Sequence, residues 1–565
     1  MDIVSARAVI VRWSVLAAAL ALLNLSLTFV NVWPTLFVRL TSAVSIEAAL
    51  LVLLIVVIRA RIGPPPRAVL RMLGVLWVLL VVGRYAEVTS RSLYGRDINL
   101  YWDVRYMPDV GSMLAVVADP RWVAAIVAGA LILPLIAYTL IRWALGCLSD
   151  ATHDPWARRV LTALAATVLA CGIAQRVDAR IPAVLEVAAP VTPVFMDQAR
   201  RFAYELSGAG VRALPPATRV ASDLARVQGA DVFLIFIESY GQVSWERPAF
   251  AAALASSRAG LEAAIRDTGR QVVSASVQSS TFGGESWLAH ISLLTGTEVR
   301  DQDTNVRLMA QPRDTMVTAF ARRGYRTVAV MPGLQREWPE GQFYRFDQVY
   351  GAQELDYHGP PFGWWDITDQ YVLARLDALL LARPSDKPLF AFFPTISTHT
   401  PFTPTPPYQP NWKKVLTTTP YDADELDRAW SQPPDWLNLG PGYTQALDYI
   451  HATLGGYLRL HRGRDLVMIL VGDHQPPAAV SGENASWDVP MHVIASRREL
   501  LDRLLQHGFR KGLAPTPQPL MKINAMMPVL LDGFGDAGRL EGRNSLSRES
   551  GLRRSLANSN LAAHR

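Results

Sequence analysis

What most constrains this chain is a series of apolar, almost charge-free runs confined to its first third: Trp13 to Val38, Leu40 to Ile58, Met72 to Gly83, Trp122 to Ile141 and Val160 to Gln175. A helix in water buries one stripe and shows charge on the other, so a run that is apolar all round calls for lipid or a deep core. These runs predict five transmembrane helices within residues 1–178. The third is the shortest and reaches full span only if Arg71 or Arg84 extends its guanidinium to the interface. Four further runs follow the first, which fits an anchor better than a cleaved leader. Glu47 interrupts the second run and is placed inside the bundle or near the outer interface.

Arginine placement sets the orientation. The stretch Arg59 to Arg71 contains Arg59, Arg61, Arg67 and Arg71 without an acid, which marks it cytoplasmic and puts the N-terminus on the same side. Between Arg84 and Arg121 the arginines are diluted by Glu87, Asp97, Asp103, Asp109 and Asp119, so this connection is assigned outside. It carries Tyr94, Tyr101, Trp102 and Tyr106, an aromatic density suited to the headgroup layer. Five spans then set the remainder on the periplasmic, outer side of a bacterial cytoplasmic membrane. A connector, residues 179–230, places Phe195, Ala199, Phe202 and Leu206 on one helical face, either lying on the membrane surface or packing against a globular domain.

With 565 residues the chain exceeds one core, and a catalytic domain is expected over residues 231–538. The net charge of +6 comes from arginines beside the spans and in the basic tail, residues 539–565, which is expected to be disordered. No single basic face results, and nucleic acid is excluded as a partner. The two cysteines, Cys147 and Cys171, lie in or beside spans, leaving the soluble part without a disulfide.

From Asp231 onward the pattern changes to short β-branched runs separated by helical stretches: Val232 to Ile237, Val272 to Val277, Thr327 to Val330, Leu389 to Phe393, Leu466 to Val471 and Pro490 to Ala495. This is the signature of an α/β sandwich around a mostly parallel central sheet, whose ligands gather beyond the carboxyl ends of the strands. The polar residues at those ends are Glu238 in Phe-Ile-Glu-Ser-Tyr-Gly, His399 in Ser-Thr-His-Thr-Pro-Phe, and Asp473 and His474 in Val-Gly-Asp-His-Gln. Each alone could merely cap backbone or face water; together they offer the anionic oxygens and neutral nitrogen that a divalent cation requires. In Phe282-Gly283-Gly284-Glu285-Ser286-Trp287 a hydroxyl stands where a helix begins, a place that favours both an alkoxide and a bound phosphate. Ser286 is therefore either an N-cap or a nucleophile.

In their order, Glu238, Ser286, His399 and Asp473-His474 resemble the alkaline phosphatase and sulfatase superfamily. More narrowly the chain resembles its membrane-anchored branch, which contains lipoteichoic acid synthase, periplasmic glucan phosphoglycerol transferase and phosphoethanolamine transferases. The likeness covers five spans plus an external domain and rests on the Glu-Ser-Tyr-Gly, Gly-Gly-x-Ser and Gly-Asp-His segments. It implies that Glu238, Asp473, His474 and the Ser286 oxygen hold one divalent ion, whether manganese, magnesium or zinc. It further implies that Ser286, where the family usually has threonine, is the nucleophile, with Thr281 as second choice, and that His399 contacts phosphate or moves a proton.

Trp287, Trp338 and Glu340 are assigned to the substrate headgroup. Between Met331 and Gly341 the phosphoglycerol enzymes place a histidine, an aspartate, a tryptophan and an arginine; here Trp338 matches, while Met331, Gly333 and Glu340 stand at the other places. Glu340 is suited to an ethanolamine ammonium or to solvent. The lack of soluble-domain cysteines argues against a lipid A phosphoethanolamine transferase. The resemblance thus implies transfer of phosphoglycerol or phosphoethanolamine from a phospholipid donor, through a covalent serine intermediate, to a cell-envelope glycan or glycolipid. Two alternatives remain: a phosphodiester, phosphate or sulfate ester hydrolase of the same superfamily, and a non-catalytic glycan-assembly scaffold.

Overall fold

The computed structural model describes residues 3–33, 35–95, 97–117, 120–177, 185–207, 213–218 and 220–536. The basic tail over 539–565 and parts of the 179–230 connector lie outside the described residues. The chain forms two compact units, Met1–Val211 and Arg212–Arg565, each considered by itself.

In the first unit α1 (Ile3–Thr28) is followed by a two-stranded antiparallel piece, β1 (Val30–Asn31) with β2 (Val38–Arg39), and then by α2 (Ile46–Arg61) and α3 (Arg67–Tyr94). After these come α4 (Leu100–Val117), α5 (Pro120–Ala151), α6 (Pro155–Val177) and α7 (Thr192–Ser207). Among the described residues, four helical segments are long and apolar enough to cross a membrane: Val9–Thr28, Arg67–Leu93, Val123–Ala151 and Pro155–Val177. This corrects the expected count of five. The second run yields only the 16 residues of α2, because Ser45 ends the preceding extended segment by accepting a hydrogen bond from the Ala48 amide. At 1.5 Å per residue α2 spans about 24 Å, short of the roughly 30 Å hydrocarbon layer.

The third run, expected to be the weakest, lies in a 28-residue helix. Charges such as Arg71 and Arg84 end apolarity without ending a helix, and Arg84 pairs with Glu87 at 3.2 Å inside it. The connection after α3 contains a further helix, α4, where a loop was expected. Tyr101 of α4 meets Phe202 of α7 edge to face at 5.3 Å, and Trp102 donates to Glu205 at 2.8 Å. The side chains of Tyr94 and Tyr106 lie outside the described residues. Glu47 is buried, and one of its oxygens accepts from the Val191 and Thr192 amides at 2.5 and 3.0 Å, so it anchors the start of α7.

The second unit is built on a nine-stranded sheet. Its strands are β3 (Asp231–Ile237), β4 (Gln271–Gln278), β5 (Arg326–Val330), β6 (Gln348–Tyr350), β7 (Leu389–Pro394), β8 (Leu466–Gly472), β9 (Asp488–Ala495), β10 (Arg510–Lys511) and β11 (Pro519–Lys522). They lie in the order β10-β4-β9-β8-β3-β7-β5-β6, with β11 also paired to β4. β8, β3, β7, β5 and β6 are mutually parallel, while β9 runs antiparallel to both β8 and β4. Two reversals restore direction, so β4 points the same way as β3 and β8.

Successive β3 residues serve opposite faces, as strand geometry requires. Val232, Leu234 and Phe236 join one core with Leu288, Ile291 and Phe320; Phe233, Ile235 and Ile237 join the other with Leu261, Tyr443 and Leu447. Each such side chain contributes about 1.5–3 kcal/mol by leaving water. Strands covered on both faces explain the uninterrupted apolar runs in the sequence.

Candidate functional site

Because β3, β4 and β8 share one direction, their carboxyl ends reach one edge of the sheet. Register completes the alignment: Ile237 lies opposite Gly472, and Gln278 opposite Asp488. The next residues after β3 and β8 include Glu238, Asp473 and His474, and the chain after β4 turns into the Ser286–Thr295 helix. The loops approach so closely that a side chain on Gly472 would collide with the Tyr240 carbonyl.

At this edge Glu238, Asp473 and His474 present donor atoms that all lie within 4.8 Å of one another, and all three are buried. The Ser286 hydroxyl donates to Glu238 Oε2 at 2.9 Å and lies 3.2 Å from His474 Nε2. His474 Nδ1 donates to the Gln475 carbonyl at 2.7 Å, leaving Nε2 turned to Glu238 Oε1 at 3.3 Å. Asp473 Oδ1 accepts from the Ser239 and His474 amides at 2.8 and 2.7 Å. Backbone strain flanks the serine and the glutamate: Ser239 and Glu285, neither a glycine, adopt φ of 56° and 59°. Such residues cost about 1 kcal/mol or more and persist where surrounding contacts over-determine them. Gly284, at φ 150°, supplies the conformation that only glycine adopts readily.

Two carboxylates and one imidazole in a dry site leave charge unbalanced. Burial opposes ionisation of Glu238, yet the adjacent His474 imidazole holds its carboxyl well below the usual range. Burial and then the Glu238 charge push Asp473 well above its ordinary value. For His474 burial disfavours the cation, but Asp473 and Glu238 hold it up at about 9. A divalent cation fits this donor set: it would replace the shared protons with one charge meeting both carboxylates and the free Nε2.

The β7 end completes the edge. The Glu238 amide donates to Thr395 Oγ1 at 3.1 Å, and Thr398 Oγ1 donates to the Glu238 carbonyl at 2.6 Å. Asp369, buried and thereby pushed up to about 6, accepts from the Ile396 and Ser397 amides at 2.9 and 2.8 Å. His399 follows on this loop, half-buried, its Nδ1 donating to the Thr400 carbonyl at 2.7 Å so that Nε2 stays available. Its ring packs edge to face on Trp365 at 4.8 Å and lies 5.8 Å from Trp364, in a cavity that these three residues help to line.

The structure thus brings Glu238, Ser286, Asp473 and His474 into direct contact. Thr281, the alternative hydroxyl, is buried and donates to the Gly284 carbonyl at 2.6 Å, bracing the loop. Trp287 is partly exposed and donates to Gln302 at 2.7 Å. Trp338 is half-buried 5.6 Å from the Tyr344 ring, and Glu340 is exposed. Reading the sequence missed Trp364, Trp365, Ser239 and Asp369. The adjacent tryptophans in Pro-Pro-Phe-Gly-Trp-Trp were the available signal, since a loop rarely spends two indoles on solvent.

The sulfatase family model matches residues 278–497. Over this span, less than half of the chain, the sequence is similar to a sulfatase domain. The matched span of that domain contains Ser286, His399, Asp473 and His474 and begins after Glu238. Among curated proteins no match was found. Solved structures with a similar course include the lipooligosaccharide phosphoethanolamine transferase of Neisseria meningitidis, at 13% identity and TM-score 0.47, covering 86% of this chain and 87% of that one. A lipoteichoic acid synthase from Listeria monocytogenes matches at 14% identity and TM-score 0.34, over 52% of this chain and 70% of that one. The Streptococcus pyogenes phosphoglycerol transferase, solved with sn-glycerol-1-phosphate, matches at 12% identity and TM-score 0.34, over 56% and 77%. At such values these structures add nothing to the chemical argument, which rests on the residues above.

Proposed function

We propose that this chain moves a phosphoglycerol or phosphoethanolamine headgroup from a membrane phospholipid to a cell-envelope glycan or glycolipid, through a covalent intermediate on Ser286. The observation that carries this reading is the Ser286 hydroxyl, held at a helix start between Glu238 Oε2 and His474 Nε2. Glu238, Asp473, His474 and the serine oxygen would hold a manganese, magnesium or zinc ion. When bound, such an ion acidifies the hydroxyl and neutralises charge on phosphoryl oxygens.

In the first step the Ser286 oxygen bonds to phosphorus as the bond from phosphorus to the diacylglycerol oxygen breaks. The serine proton, made acidic, passes to water, and His399 Nε2 protonates the departing oxygen. In the second step the acceptor hydroxyl attacks the same phosphorus, His399 recovers a proton from it, and the serine regains its own. The helices of the first unit keep the enzyme where its donor resides.

Intact-mass analysis of the full chain after incubation with mixed phospholipids tests the chemistry. A mass adduct on Ser286 identifies the headgroup, and Ser286→Ala carries none. Release of free phosphate from small esters with no adduct from any lipid would assign the site to hydrolysis. A chain that takes up no divalent ion and is indifferent to Ser286→Ala would be a scaffold.

A further inference from the structure

The first unit contains a cavity of about 340 Å³. Ile46 and Leu50 of α2 and Met196 of α7 give it an apolar wall, while Arg176, Asp197 and Arg200 bring charge to it. The volume lies at the lower end of the range for small-ligand sites, about 300–1,000 Å³. Its position is defined by chain ends: α2 and α7 begin here, and Arg176 occupies the last turn of α6. The cavity therefore sits at one end of the apolar helices, where hydrocarbon gives way to headgroups.

The charges are not equivalent. Glu47 lines the cavity but is already committed: one oxygen accepts from Val191, from the Thr192 amide and from the Thr192 hydroxyl, the other from Ser45 Oγ at 3.0 Å. Asp197 pairs with Arg200 at 3.3 Å, one turn apart on α7. Arg176 makes no ion pair among the described residues. Two guanidiniums thus stand above an apolar wall, and the one carboxylate not held by backbone amides, Asp197, is paired only to Arg200 on its own helix. That arrangement matches a group with a phosphate, a short polar extension and an acyl stem.

We propose that this cavity binds a glycerophospholipid, with the phosphate on Arg176 and Arg200, the acyl chains along Ile46, Leu50 and Met196, and a headgroup amine or hydroxyl against Asp197. Membrane lipid is the one abundant molecule that meets such helices with this sequence of chemistries. Calling the bound lipid the donor rests on the transferase reading; the binding does not.

Native mass spectrometry of the full-length chain in detergent, titrated with phosphatidylethanolamine, phosphatidylglycerol or diacylglycerol, tests the proposal. One phospholipid is retained per chain and diacylglycerol is not. The double variant Arg176→Gln/Arg200→Gln, at exposed positions, lowers occupancy by about tenfold or more, in line with the loss of charge-assisted hydrogen bonds to phosphate. Met196→Trp, which fills the cavity and spares the arginines, lowers it as well. Ser286→Ala retains the lipid at the wild-type level. Equal occupancy in the wild type and the double arginine variant, or diacylglycerol retained as well as phospholipid, overturns the proposal. If phospholipid is retained in the manner described and no adduct ever forms on Ser286, the lipid site stands and the transferase reading falls.

Discussion

Two segments at the same edge of the sheet are built in opposite ways. The group formed by Glu238, Ser286, Asp473 and His474 is sunk beneath its loops, with Asp473 and His474 each 1% exposed, and each member is fixed by more than one hydrogen bond or ion pair. The segment after β5, Met331 to Gly341, is held by backbone hydrogen bonds such as that from the Met331 amide to the Tyr350 carbonyl and by Met331 and Trp338 packed on the core, while its Arg336, Glu337 and Glu340 face solvent. Where the chemistry is proposed to occur, the structure over-determines geometry. Where the headgroup is proposed to be chosen, the charged side chains can change without disturbing the core beneath them.

The contrast is broken most severely at the buried group. Glu238→Gln or Asp473→Asn is expected to abolish divalent-ion uptake, measured by elemental analysis, and to lower transfer by about a thousandfold or more, as loss of transition-state charge stabilisation does. Chelation should do the same reversibly. Gly472→Ala touches no ligand but forces the β8 loop away from the Tyr240 carbonyl. It should lower ion affinity and the unfolding midpoint together, at a cost of about 1–3 kcal/mol; unchanged ion affinity would show that the loops have slack.

Acid should reveal a weakness behind the site. His451 and His492 are buried and pushed down to about 3, by burial first and then by Arg258 and, for His492, by His451. They stay neutral in the fold and gain protons once unfolded, so their contribution is full above about pH 6.5 and is lost as pH falls toward 3. Each should cost about 1.4 kcal/mol per pH unit within that window. Thermal unfolding at pH 7.5 and 4.5 checks this, and His451→Gln should flatten the dependence.

The smallest effects belong to the outer segment. Trp338→Ala should alter the preference between headgroups by about tenfold with ion content unchanged, and Glu340→Gln by about two- to threefold. A thousandfold loss from either would mean that the segment takes part in the chemistry.

The α/β sheet was legible in the sequence because strands buried on both faces leave continuous apolar runs, and Glu238, Asp473 and His474 because strand-end polar residues interrupt those runs; Ser286 was legible from its paired glycines at a helix start and from the family resemblance. The membrane helices were misjudged where apolarity and helicity part company: Ser45 starts α2 late, and Arg84 rides inside α3 without ending it. Ser239 and Asp369 escaped notice because their work is to hold backbone and neighbouring carboxylates, which serines and aspartates do in countless loops. Trp364 and Trp365 were visible as residues, but their placement around His399 is a fact of tertiary structure alone.

The antiparallel insertion of β9 between β4 and β8 also bears on how the protein is made. The Ser239 amide reaches Asp473 across 234 positions of sequence, and β4 joins β8 only through β9, whose pairing ends at Ala495. A chain still in synthesis at residue 470 therefore holds Glu238 and Ser286 but not the rest of the cation site. Capture of the proposed ion, and any reactivity it would give the serine, would come after most of the domain has been synthesised.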